Sequence, residues 1–137
     1  MALALVLAAA LFALAGIHLY WGFGGRWPGH DEASMVEHVV GRTRGMRAPG
    51  LLTSAAVALA LAAGGVLVLA TLAATPWDGW LQAARWVLFV VFAGRGLATY
   101  FPPAFRYAEG TPFATLNRRA YGPLCLSIAL GLLILQL

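Results

Sequence analysis

From Ala2 to Trp21 the chain carries no Asp, Glu, Lys or Arg and a single histidine, His18, in a run dominated by alanine, leucine and valine. A stretch of that length and character matches the roughly 20 residues that cross a hydrocarbon core about 30 Å thick. Three more follow, at about 50–75, 81–101 and 112–137. In a bilayer each backbone N–H and C=O must be satisfied within its own segment, so such runs resolve as α-helices. Composition agrees: 61% of the 137 residues are hydrophobic, 10% are charged and the mean hydropathy is +0.81. A soluble domain carries about a quarter charged residues. The four runs use most of the chain, so the sequence predicts a single all-α domain over 1–137, a polytopic membrane protein with four transmembrane helices.

The first run has a competing reading as a cleaved leader, because Ala13-Leu14-Ala15 resembles a small-residue cleavage site. No positive charge precedes it, and the apolar character continues through Gly16–Tyr20, which favours a retained helix. Tyr20 and Trp21 are then its interfacial anchor, and the glycines of Gly22-Phe23-Gly24-Gly25 form the turn that follows. These glycines are no dinucleotide fingerprint, which needs a strand before and a helix after.

Between Gly22 and Pro49 the chain turns polar. Within this segment about 31–44 has a helical pattern, with Met35/Val39 and Val36/Val40 as i, i+4 pairs and Glu37, Arg42 and Arg44 polar. Asp31 and Glu32 at its start and arginines at its end suit the helix dipole. The pattern predicts a short amphipathic helix lying along the membrane surface. In the second span Ser54, Ala58 and Ala62 recur every four residues, a stripe that lets a neighbouring helix approach closely. The short turn Pro76–Trp80 predicts that spans two and three are antiparallel neighbours, with Trp77 and Trp80 at the interface. Pro102-Pro103 ends the third span. Thr111-Pro112 opens the fourth as N-cap and first helical residue. Pro123 lies inside it and deprives the Arg119 carbonyl of its intrahelical partner, which predicts a kink or a polar contact there.

All nine basic residues are arginine, and the net charge is +4. They flank apolar segments and form no soluble basic face, which argues against nucleic acid. Arg26, Arg42, Arg44 and Arg47 connect spans one and two, and Arg106, Arg118 and Arg119 lie between or beside spans three and four. The positive-inside rule places both connections in the cytoplasm and both termini outside it. Cys125, the single cysteine, reads as a small packed hydrophobe.

Arg95 is the first candidate for chemistry, because a cation at helix centre costs roughly 2.5–3.5 kcal/mol on insertion scales. Either it snorkels to the interface or a free carbonyl, or it faces the bundle interior and binds an anionic or carbonyl group. Arg85 shares a face with Gln82 and Asp78 and reads as a polar row at the outer interface, about 15 Å of helical rise from Arg95. His18 reaches the same membrane face as Arg95 and is either a hydrogen-bonded packing residue or a site member. A bis-histidine haem has no second histidine at that depth. His30, Asp31, Glu37 and His38 match no specific metal motif and read as a solvated helix. Asn117 and Tyr121 share a face, while Arg118 and Arg119 differ by about 100°, so one arginine turns to the bundle and one to headgroups or water. No Ser-His-Asp set, Cys-His pair at plausible depth, phosphate-cradling loop or intramembrane carboxylate pair is present. The absence of an intramembrane Asp or Glu also argues against a proton-coupled cation exporter.

HLYWGFGG at 18–25, RGLATYF at 95–101 and TPFATLNRRAYGPLCL at 111–126 resemble a family of small bacterial four-helix membrane proteins catalogued as a domain of unknown function. The resemblance covers nearly the whole chain and implies four spans in a bacterial inner membrane; it carries over no activity, ligand or catalytic residue. The residues themselves favour a binding protein. His18, Arg95, Asn117, Arg119 and Tyr121 would hold an anionic or carbonyl-bearing small molecule or lipid headgroup at the cytoplasmic side, with no metal or catalytic residue assigned and the cofactor open. The alternatives are a structural or accessory subunit of a larger membrane complex, and a membrane-embedded enzyme with His18 as acid or base and Arg95 as electrostatic stabiliser. Membrane lipids are the expected partners, with a second copy or another membrane protein beside them.

Overall fold

The computed structural model describes residues 1–73 and 78–137. Pro76 and Trp77 of the expected short turn lie outside the described residues. Among the described residues six α-helices follow one another: α1 (Ala2–Gly22), α2 (Glu32–Val39), α3 (Leu51–Leu69), α4 (Asp78–Ala98), α5 (Pro112–Leu116) and α6 (Gly122–Ile134). A 3₁₀ turn extends α3 through Leu72, and another covers Pro102–Ala108. No strand occurs among the described residues. α1, α3 with its extension, and α4 are long and apolar enough to cross a membrane. The fourth expected span is not one α-helix but α5, a wider turn over Asn117–Tyr121 and α6 in series.

The long helices pack as two pairs, α1 with α3 and α4 with α6, and the pairs are joined where α3 meets α4 and α1 meets α6. Leu7, Leu11, Val68, Phe92, Ile128 and Leu132 form the shared core. Small residues set the approach. A Cβ at Gly65 would lie 2.9 Å from the Phe12 ring, and one at Gly131 would lie 2.8 Å from Leu7 Cδ2. For helices surrounded by lipid tails, such close van der Waals contact replaces water exclusion as the source of attraction. In the expected stripe Ser54 and Ala58 are buried and Ala62 is half-buried. A Cβ at Gly22 would meet Ser54 Cβ at 2.9 Å.

After α1 the glycines do turn the chain, with Gly24 at φ +87° and Gly25 seated on the Tyr20 ring. Tyr20 and Trp21 hold this turn together. The Tyr20 hydroxyl accepts from the Arg26 and Trp27 N–H groups at 3.2 and 3.3 Å, and Trp21 Nε1 donates to the Trp27 carbonyl at 2.7 Å.

α2 starts at a reciprocal cap: Asp31 accepts from the Ser34 N–H at 2.7 Å while Ser34 Oγ accepts from the Asp31 N–H at 3.1 Å. It ends at Val39, well short of the expected 44, because Gly41 adopts φ +99° and sends its N–H back to the Val36 carbonyl at 2.8 Å. Its apolar face is also covered differently from the expectation. Met35 and Val36 are 2% and 0% exposed, buried within the protein, and α2 packs on α5. Three long-range hydrogen bonds secure the segment. Tyr121 Oη donates to the His38 carbonyl at 3.1 Å, Arg42 donates to the Glu109 carbonyl at 3.1 Å, and the Ala48 N–H donates to Glu32 at 2.9 Å. These contacts bring the two arginine-rich connections to the same end of the molecule.

Candidate functional site

The irregularity expected at Pro123 is a π-helical turn. The Gly122 N–H reaches the Asn117 carbonyl, five residues back instead of four. In that register the carbonyl left without a donor by Pro123 is that of Arg118, not Arg119 as an α-helical count predicts. The Tyr100 hydroxyl approaches the Arg118 carbonyl at 3.4 Å and supplies the missing donor. The turn is packed tightly on α4. A Cβ at Gly122 would lie 2.8 Å from Thr99 Cγ2, and one at Gly96 would lie 2.7 Å from the Leu126 side chain.

That close approach assembles a polar cluster between the two helices. Arg95 donates to Asn117 Oδ1 at 2.8 Å and to Thr99 Oγ1 at 2.9 Å, and the Thr99 hydroxyl lies 3.4 Å from the same Asn117 oxygen. Asn117 and Thr99 are 2% and 4% exposed. The Arg95 guanidinium stands 4.8 Å over the Phe105 ring, a cation–π contact. Among the described residues no carboxylate lies within 4.0 Å of Arg95. Its positive charge is therefore held by neutral acceptors and a ring face, and it is not cancelled.

Beside this cluster opens a half-open cleft of about 550 Å³, within the size range of small-molecule sites. Thr99 and Asn117 reach it from the buried side, and Phe101, Pro102, Phe105 and Ala114 give it an apolar wall. Arg118, Arg119 and Glu109 are its charged lining. Both arginines are exposed and border this cleft.

Of the five residues expected to converge, Arg95 and Asn117 are bonded to each other, and Arg119 lines the adjoining cleft. Tyr121 is turned toward α2, where its hydroxyl donates to the His38 carbonyl, and its ring lies tilted against Phe113 at 5.9 Å. Phe113 in turn meets Phe105 at 5.8 Å, so an aromatic chain links Tyr121 to the cluster. His18 Nδ1 bonds the Leu14 carbonyl of its own helix at 2.8 Å, and its ring packs edge-on against Trp21 at 5.1 Å. Neither His18 nor Arg95 lines the cleft. Thr99, Phe105 and Arg118 complete the site. Thr99 is i+4 from Arg95 and so on its face, a readable signal. Phe105 sits on a 3₁₀ segment with no helical period to announce it.

At the opposite end of the pairs a second cavity of about 480 Å³ is lined by Thr71, Asp78, Gln82 and Arg85, which places the expected polar row along one space. His30 pairs with Asp31 at 3.6 Å, and His38 Nδ1 bonds the Ser34 carbonyl at 2.7 Å. These two histidines are thus engaged locally.

Helices of this length and apolarity, with an arginine bonded between two of them, define the class as an all-α protein with membrane-type helices. The family model described as "Protein of unknown function (DUF3995)" matches residues 2–132, and the chain belongs to that family. Neither curated proteins nor solved structures match it.

Proposed function

We propose that this chain is an integral membrane protein of four spans whose cleft, at the cytoplasmic end, binds an anionic or carbonyl-bearing group of a small molecule or lipid. The fourth span in this reading is the α5–α6 rod, and the membrane is the bacterial inner membrane. The observation that carries the reading is the cleft itself, where Arg118 and Arg119 lie along one space beside the uncancelled Arg95–Asn117–Thr99 cluster. Guanidinium groups favour planar oxygen anions, which they bind through paired N–H donors. The gathering of seven connecting arginines at one end supports the cytoplasmic assignment through the positive-inside rule. Purification in mild detergent followed by mass spectrometry of bound small molecules tests the reading. Thr115→Trp, which fills the cleft from its exposed lining without changing charge, should release the bound molecule. Identical bound molecules in both proteins would refute it.

A second reading, an accessory subunit or a self-associating protein, is favoured by the outer face of α4. Val87, Val90, Val91 and Leu97 are 58–63% exposed there, and Gly94 has open space before it. They recur at helical spacing as an exposed apolar stripe around Gly94, a face suited to another transmembrane helix. Native mass spectrometry distinguishes the readings by the mass of the particle.

A further inference from the structure

Resting on the cleft reading above, we infer that the bound group is a phosphomonoester gripped by Arg118 and Arg119 together, with the ligand's apolar portion lying on Phe101 and Phe105. The inference starts from the π-helical turn. Successive residues of an α-helix point about 100° apart. A turn closed over five residues is wider, so neighbours within it diverge less. Arg118 and Arg119 are the second and third residues of that turn, and both line the cleft. Pro123 favours the wide register by withholding the N–H that an α-helical ladder would use, and Tyr100 satisfies the carbonyl so exposed.

Charge and valence then narrow the ligand. Arg118, Arg119 and the uncancelled Arg95 behind the cleft, set against Glu109, leave two net positive charges. A phosphomonoester carries about −1.5 to −2 charge near pH 7 and three terminal acceptor oxygens. It can engage two guanidinium forks at once, whereas a carboxylate has two oxygens and one charge, matched by one fork. The exposed Phe101 and the Phe105 ring give an acyl chain or other apolar body a surface beside the charged pair.

Delipidated full-length protein in detergent is titrated with dioctanoyl phosphatidic acid, dioctanoyl phosphatidylglycerol, octanoate and inorganic phosphate. Phosphatidic acid should bind at least about tenfold more tightly than phosphatidylglycerol or octanoate, and Arg118→Ala and Arg119→Ala should each weaken it by about tenfold. Arg118→Lys and Arg119→Lys should recover part of that loss, because the charge returns without the fork. Both arginines are exposed, and unchanged melting of the four variants verifies that the fold persists. Inorganic phosphate binding far more weakly than phosphatidic acid identifies a lipid as the source; equal binding identifies a free phosphate compound and removes the apolar contact. Equal affinity for the four probes, or dependence on one arginine alone, would overturn the inference. If Thr115→Trp still releases a bound molecule in that case, the cleft reading survives and only the phosphate assignment fails.

Discussion

Asn117 is the residue on which the site turns. Its amide oxygen accepts from a charged guanidinium in a place almost closed to solvent. Hydrogen bonds to charged groups contribute about 1.5–3 kcal/mol, and an orphaned buried partner adds its own desolvation penalty. Asn117→Ala should therefore lower unfolding free energy in detergent by about 2–3 kcal/mol. A change within measurement error would mean that Arg95 finds another acceptor. A second prediction concerns the exposed cap of α2. The Ser34 backbone N–H, then its hydroxyl, hold the Asp31 carboxyl below its ordinary value of 3.8. A carboxyl depressed on folding stabilises the folded state above its unfolded pKa, and that contribution is lost as pH falls through the folded value. Protection factors of the first-turn amides of α2 should drop as pH is lowered through and below the ordinary carboxylate range, and Asp31→Asn should abolish that pH dependence while preserving the cap. The cap was legible only as an acidic start to a helix. Its Ser34 half needed the backbone geometry.

At the scale of elements, the π-helical turn decides what the fourth helix presents. Gly122 allows it to sit against Thr99, and a methyl there would press on Thr99 and on the Asn117 carbonyl. Gly122→Ala should cost about 1–3 kcal/mol, the usual range for overpacking, and should be more harmful than Gly94→Ala, whose Cβ meets open space. One hydroxyl contributes to the docking of α2 and can be removed alone. Tyr121→Phe keeps the ring contact with Phe113 but removes the bond to the His38 carbonyl, so amide exchange over 32–39 should accelerate by the equivalent of about 0.5–1.5 kcal/mol. Pro123 announced in the sequence that the ladder would break near Arg119. It did not reveal that an extra residue would be absorbed, because that depends on the close packing of Gly122 against Thr99 and of Leu126 against Gly96 of α4. The early end of α2 has a similar origin, since the pattern of valines continues to Val40 but the conformation of Gly41 stops the helix.

For the whole molecule, the apolar runs were sufficient to read an all-α chain and to bound α1, α3 and α4 within a few residues. The pairing of α1 with α3 and of α4 with α6 was only half visible, through the Ser54 and Ala58 stripe. Arg95 and Asn117 were readable as polar residues needing partners. His18 was not separable from them, because depth in a membrane says nothing about which neighbour a helix face meets. The proposed topology predicts that a reporter active only outside the cytoplasm is active when fused after Leu137 and inactive when inserted at Gly45; the reverse pattern would invert the orientation. The proposed occupancy of the cleft has a more direct test. A photoreactive amino acid placed at Ala114, on the cleft wall, is compared in native membranes with one at Val90, on the exposed face of α4. The Ala114 adduct should be dominated by one anionic or carbonyl-bearing molecule, and Val90 should capture the bulk lipid mixture. Adducts of the same composition at both positions would contradict a binding cleft.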